Sequence, residues 1–177
     1  MLERKTNMEN TNTIKELISQ AMGAYKQENF KKCIAIFSEL LTVEPAHKLS
    51  LVGRGSAFLR LNGLDNALAD FDRAVGLYPD YARAYHLRGL VKAQQGHDLA
   101  ALEDFDKAIE LDTDYGAAYA SRAAARLKLG QEDLAAEDVA TVITSTQVNL
   151  ETYANENNIW HTHHMREEAA EETELKR

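Results

Sequence analysis

Cysteine and long apolar runs are scarce in this chain, and each scarcity excludes a class of protein. The 177 residues include a single cysteine, Cys33, so no disulfide can form within the chain and a reducing compartment is expected. No apolar run approaches the roughly 18 residues that a membrane-spanning helix needs, and the first residues lack the apolar core of a signal peptide. The sequence therefore predicts a cytoplasmic protein without membrane insertion.

Basic charge is also in short supply. The chain has 28 Asp and Glu residues against 20 Lys and Arg residues, and its net charge is −8. No run of Lys or Arg is long enough to follow a phosphate backbone, which excludes nucleic acid as the expected partner. Apolar residues make up 45% of the chain, as in ordinary folded proteins.

Catalytic and cofactor signatures are absent as well. The sequence has no G-x-S-x-G, no P-loop and no G-x-G-x-x-G, so we expect neither an enzyme nor a cofactor. Cys33 shares its repeat position with Ala67, Ala101 and Ala135, which indicates a small buried residue rather than a nucleophile.

A histidine cluster is the one group that suggests a metal. His161, His163 and His164 lie close together, and Glu168 follows His164 at helical spacing. Two or three ligands without a cysteine partner are too few for a closed zinc site, so no metal is predicted.

What the chain does contain is a repeat of 34 residues. Its only two prolines, Pro45 and Pro79, are 34 apart, and Phe37, Phe71 and Phe105 keep the same step. Four units follow without insertions, at residues 14–47, 48–81, 82–115 and 116–149. Within each unit, apolar residues recur at helical spacing on both sides of a central break, and no alternating strand pattern occurs. Each unit is therefore predicted to be a helix-turn-helix.

The repeated positions resemble the tetratricopeptide repeat. In the third unit the resemblance rests on Tyr85, Gly89, Ala101, Phe105 and Ala108, and the second unit matches at the equivalent positions. It implies an all-α fold, an α-solenoid of four units wound into a right-handed superhelix, with a concave face lined by the first helix of each unit. Residues 1–13 are expected to be a flexible N-terminus. Residues 150–177 are expected to form a capping helix and an acidic tail, with Trp160 either covering the last unit or inserting into a groove, its own or that of a neighbouring chain.

Paired acids and arginines also follow the repeat. Asp70, Asp104 and Asp138 share one position, and Arg54, Arg88 and Arg122 share another in the preceding helix; the first unit lacks both. Asp70 and Asp72 are two residues apart on a helix and face different directions, so they cannot chelate one ion as a local pair. An Arg–Asp pair that joins helices within or between units is predicted instead.

The resemblance also indicates which positions face the concave groove. Twenty positions, here called the groove, contain five Lys or Arg and no Asp or Glu. They are Lys15, Ile18, Met22, Tyr25, Lys26, Leu49, Val52, Ser56, Leu59, Arg60, Arg83, His86, Leu90, Ala93, Gln94, Ala117, Ala120, Ala124, Leu127 and Lys128. The three alanines at 117, 120 and 124 are expected to pack against neighbouring helices. The candidate partner-binding residues are Ile18, Met22, Tyr25, Val52, Leu59, Arg60, Arg83, His86, Leu90 and Lys128.

An apolar groove with basic edges indicates a protein partner. The leading prediction is a scaffold or adaptor that binds a peptide or helical segment with an apolar core and acidic flanks. Two alternatives stay open: a chaperone-like holder of apolar segments, and a self-associating structural protein. The carboxylate clamp that some family members use on chaperone tails needs Lys and Asn where this chain has Ile18 and Met22, or Val52 and Ser56, so that ligand is not expected.

Overall fold

A computed structural model of the chain describes the backbone of residues 2–156 and the side chains of residues 13–147. Over this range α-helix is the regular secondary structure of the chain, which confirms the predicted fold class. The helices are α1 (Leu2–Lys26), α2 (Phe30–Val43), α3 (Lys48–Arg60), α4 (Leu64–Leu77), α5 (Ala82–Gln94), α6 (Asp98–Leu111), α7 (Gly116–Lys128) and α8 (Glu132–Glu156).

The helices stack as a row of hairpins. Each one packs on the helices before and after it in the chain. The odd-numbered helices α1, α3, α5 and α7 also contact one another in turn, whereas the even-numbered helices do not within the described residues. Helices on the inner side of a curved row lie closer together than those on the outer side. The odd-numbered helices therefore line the concave face, as an α-solenoid of helical hairpins requires.

The helix bounds follow the repeat in the middle of the chain and depart from it at both ends. Helices α3, α5 and α7 begin 34 residues apart, at Lys48, Ala82 and Gly116. Helix α1 begins at Leu2, ahead of the predicted first unit, and α8 continues unbroken past residue 149 to Glu156. The flexibility of residues 1–13 and the capping role of residues 150–177 stay predictions.

A ladder of phenylalanines forms the centre of the core. Phe37, Phe71 and Phe105 are at most 1% exposed. Gly89 has no side chain because a Cβ there would lie 2.6 Å from the Phe105 ring, and Gly55 faces Phe71 in the same way. The first unit has Ala21 at that position. Its Phe37 ring lies instead against Gly53 of the next unit, where a Cβ would come within 2.4 Å.

The predicted Arg–Asp pairs are present in all three units that carry the residues. Arg88 donates from Nε and Nη2 to the two carboxylate oxygens of Asp104, at 2.9 and 2.6 Å. Arg54 with Asp70 and Arg122 with Asp138 repeat this two-bond geometry. These hydrogen bonds raise the pKa of Arg88 above its ordinary value. Each pair joins the two helices of one unit.

Asp72 and Asp106 each lie two residues after a paired aspartate, in the sequence Asp-Phe-Asp, and each binds an arginine of the next unit. Arg88 Nη1 donates to Asp72 of the preceding unit at 3.0 Å, and Arg122 Nη1 donates to Asp106 at 2.6 Å. The two carboxylates of one Asp-Phe-Asp sequence therefore bind two different arginines. The prediction that they do not form a metal site together is consistent with this geometry.

Candidate functional site

The groove is the exposed surface of the first helices. Of its twenty positions, eighteen are partly or fully exposed. Met22 is 48% exposed, and Ile18, Leu59 and Leu90 are partly exposed along the same face. The first helices therefore present several accessible apolar side chains.

Val52 and His86 are the exceptions, because the structure buries both. Val52 is 3% exposed and belongs to the core cluster around Leu51 and Phe71. His86 is 7% exposed. Both side chains offer little surface for contact, and their role in binding a partner stays a prediction.

His86 joins two units instead. Its Nδ1 lies 3.0 Å from the hydroxyl of Tyr115, and its Nε2 lies 2.9 Å from Oγ of Ser121. Burial and the nearby charge of Arg83 lower the pKa of His86 to about 4, so the ring is neutral at pH 7. The partners of His86 are 29 and 35 residues away, which is why the repeat pattern alone did not reveal this joint.

Tyr25 and Arg60 form one edge of the groove. Tyr25 meets the ring of Phe30 edge to face, with 5.2 Å between centroids. The Arg60 guanidinium lies over the same Phe30 ring at 5.1 Å, and it is 3.7 Å from Glu28. The stacking holds an exposed cation beside the apolar side chains of Met22 and Leu59.

The alanines of α7 are exposed, contrary to the prediction that they pack against neighbouring helices. Ala117, Ala120 and Ala124 all lie open on the concave face. Their small side chains leave a hollow of about 280 Å³ between α5 and α7. The hollow is lined by Leu90, Ala93, Phe105, Ala120, Ser121, Ala124, Ala125 and Lys128. Typical small-molecule pockets hold roughly 300–1,000 Å³, so this hollow has the size for a single large side chain.

Positive charge surrounds this apolar surface. Lys128 at the rim of the hollow is 56% exposed and lies 3.2 Å from Asp98, outside the groove. In the part of the chain whose side chains are described, Lys15, Lys26 and Arg83 form no ion pair. The groove itself contributes no carboxylate. Lys15, Lys26 and Arg83 are therefore available to the carboxylates of a partner, whereas the exposed Lys128 and Arg60 also lie beside Asp98 and Glu28.

Two further clefts lie along the edge where the units are joined, and the sequence did not predict them. They hold about 770 and 780 Å³ and share Tyr81 as a wall. Lys48 and Glu44 both line one cleft, and Arg83, Asp80 and Asp112 all line the other. Mixed charges of this kind favour no particular ligand.

The remaining candidates from the sequence are the cysteine, a metal site and the residues near the C-terminus. Cys33 is buried as predicted, and burial raises the pKa of its thiol, which makes it less reactive at neutral pH. Between residues 13 and 147, no three His, Cys, Asp or Glu side chains are grouped to hold a metal ion. No described helix has the length and apolarity to cross a membrane. Trp160 and the histidines at 161, 163 and 164 lie outside the described residues.

Comparisons with known proteins agree with the repeat. A family model for the tetratricopeptide repeat matches residues 18–82 and 52–115, which together span more than half of the chain. Hsc70-interacting proteins 1 and 2 of Drosophila melanogaster are each 33% identical over 99 residues, which is 55% of this chain and 26% of theirs. The chain thus matches only about a quarter of these relatives' length.

Solved structures show the same fold at lower identity. MamA from Desulfovibrio magneticus RS-1 has a TM-score of 0.69 at 20% identity, covering 76% of each chain. The repeat domain of Sgt2 from Aspergillus fumigatus has a TM-score of 0.65 at 21% identity, covering 68% of this chain and 82% of that one. These similarities confirm the architecture of stacked helical hairpins.

Proposed function

The chain belongs to the tetratricopeptide repeat family, and we propose that it is a non-enzymatic protein-interaction module. Its groove binds one segment of a partner protein, with an apolar core and acidic flanks. The observation that carries this proposal is the hollow between α5 and α7, because it joins an exposed apolar floor to an accessible cation, Lys128.

The energetics of such a site favour a short segment with one anchoring side chain. Burying one large apolar side chain contributes about 1.5–3 kcal/mol. Leu90, Ala120 and Ala124 supply the apolar walls for it. Carboxylates on either side of the anchor would meet Lys128 and Arg83, which adds orientation and a faster encounter more than affinity.

A chaperone tail is the second candidate, because the Drosophila relatives are named for an interaction with Hsc70. The groove does not favour that ligand. Ile18, Met22 and Ser56 stand where a carboxylate clamp would need Lys or Asn, and Val52 is buried in the core. We therefore propose a partner recognised mainly by an apolar anchor.

A peptide titration tests the proposal. The probe is a fluorescein-labelled synthetic peptide with a Leu-Trp-Leu core between glutamates, and its matched control has lysines in place of the glutamates. We expect the acidic peptide to bind the chain and the basic one to bind at least about tenfold more weakly, a difference of ~1.4 kcal/mol.

Variants of the chain locate the binding. Leu59→Glu/Leu90→Glu places two carboxylates in the groove and should abolish binding of the acidic peptide. The control is Leu99→Glu, on the second helix of the third unit, where the leucine is 67% exposed and lies outside the groove. If the double variant binds as tightly as wild type, the groove is not the site.

A further inference from the structure

Helix α8 is much longer than the second helix of the other units. Helices α2, α4 and α6 have 14 residues each, whereas α8 has 25. Residue 145 of α8 is equivalent to Leu111, the last residue of α6. The remaining eleven residues of α8 extend about 16 Å beyond the edge of the array, at 1.5 Å per residue.

This overhang limits where Trp160 can go. Trp160 follows Glu156 by four residues, which span at most about 14 Å even when fully extended. Helix α8 runs antiparallel to α7, so its end lies beyond the start of α7 at Gly116. The hollow begins near Ala120, about 6 Å further along α7, so Trp160 would have to span about 22 Å back from Glu156. Trp160 cannot reach the hollow of its own chain while α8 continues to Glu156.

The sequence after α8 shares the apolar group and one acidic flank of the proposed ligand. Ile159, Trp160 and Met165 supply apolar side chains. Five glutamates follow between residues 167 and 174, against three basic residues in the same segment, Arg166, Lys176 and Arg177. This is an apolar group beside an acidic flank, the pattern that the hollow and the groove cations favour.

The exposed apolar face of α8 is a poorer match for the same segment. Val139 and Ile143 are 45% and 60% exposed there. However, α8 contains six acidic residues and no Lys or Arg. The glutamates of segment 157–177 would meet like charge along α8 and opposite charge along the groove.

We propose that segment 157–177 of one copy occupies the groove of a second copy, with Trp160 in the hollow between α5 and α7. This inference rests on the proposed function, since it uses the same site. The contact joins two different surfaces, the segment and the groove. Two copies that exchange segments form a closed dimer, whereas copies that do not exchange form an open chain of molecules.

Trp160 is the only tryptophan of the chain, so its fluorescence reports this contact directly. With the full chain, we expect the emission to shift to shorter wavelength as protein concentration rises. Over the same range, the mass measured by sedimentation should rise above that of the monomer. If the emission does not depend on concentration and the mass stays that of the monomer, the proposal is overturned. Packing of Trp160 on its own α8 would give this result.

Two variants and their mixture test the geometry. Ala124→Leu fills the hollow and keeps Trp160, whereas Trp160→Ala keeps the hollow and removes the anchor. Each alone should stay monomeric, and mixing them should restore both association and the wavelength shift, because one open groove then meets one intact segment. Ala69→Leu, at an exposed alanine of α4, is the matched control and should associate like wild type. A mixture that stays monomeric contradicts the proposal.

The acidic-flanked peptide separates this inference from the proposed function. If the chain is monomeric but binds the peptide through a groove that Ala124→Leu blocks, only the self-association is wrong. If neither the segment nor the peptide binds, the proposed function fails as well.

Discussion

Removing Arg54 should destabilise the chain more than removing Arg88, although the two arginines occupy the same repeat position. Arg88→Ala leaves Asp104 with a second cation, because Lys92 Nζ lies 2.8 Å from its Oδ2. Arg54→Ala leaves Asp70 with none, since the position equivalent to Lys92 is Phe58 in that unit. The two variants therefore differ in whether a buried carboxylate keeps a charged partner.

The structure sets the expected magnitudes. The Asp70 side chain is 5% exposed, and breaking a buried ion pair so that one charge is uncompensated costs about 3–5 kcal/mol. For Arg88→Ala we expect a smaller loss of about 1.5–3 kcal/mol, the net contribution of hydrogen bonds to a charged group, because Asp104 keeps Lys92 as a partner. Arg54→Ala/Asp70→Ala should be less destabilised than Arg54→Ala alone, because no unpaired carboxylate is left behind.

Urea denaturation followed by circular dichroism provides the measurement, with wild type and the three variants compared at the same pH and salt. Equal losses of unfolding free energy for Arg54→Ala and Arg88→Ala would show that Lys92 does not compensate. Strict additivity of Arg54→Ala and Asp70→Ala would show that the pair contributes no coupling energy, and the account of the ladder would be refuted.

Three further outcomes are expected. His86 has a pKa of about 4 in the folded state, below its ordinary 6.5, so its ring is protonated at higher pH in the unfolded chain than in the folded one. The free energy of unfolding should therefore fall by about 3 kcal/mol as pH drops from 6.5 towards 4. Denaturation of His86→Gln should lack that part of the pH dependence. Gly89→Ala should lower the melting temperature because its Cβ would meet Phe105 at 2.6 Å, whereas Gly23→Ala, with open space around it, should raise stability by about 0.5–1 kcal/mol. Cys33 should react with iodoacetamide far more slowly in folded than in urea-unfolded chain, and equal rates would show that it is accessible.

The parts of the structure that repeat within one unit could be predicted from the sequence. Arg88 and Asp104 are 16 residues apart in one hairpin, and the same spacing recurs in two other units, so the pair was visible as a pattern. The phenylalanine ladder and its glycine neighbours were predictable for the same reason. The period of 34 residues places each of these residues opposite its partner in the units that carry them.

Contacts that occur only once and the exposure of the groove could not be predicted in the same way. The joint of His86 with Ser121 occurs once, so no repeat signals it. Ala120 and Ala124 were expected to be covered, but they are exposed, and their small side chains leave the α7 surface open as a hollow. Whether an alanine packs or lines a hollow depends on helix separation, which composition does not set.

An NMR titration tests the central claim most directly. In isotopically labelled chain, the acidic-flanked peptide should shift the amide signals of Leu90, Ala93, Ala124 and Lys128, which surround the hollow. Signals of α4 and α6 residues on the outer side, such as Ala69 and Leu99, should change little. Shifts concentrated on those outer helices, or on the edge clefts around Tyr81, would contradict the account.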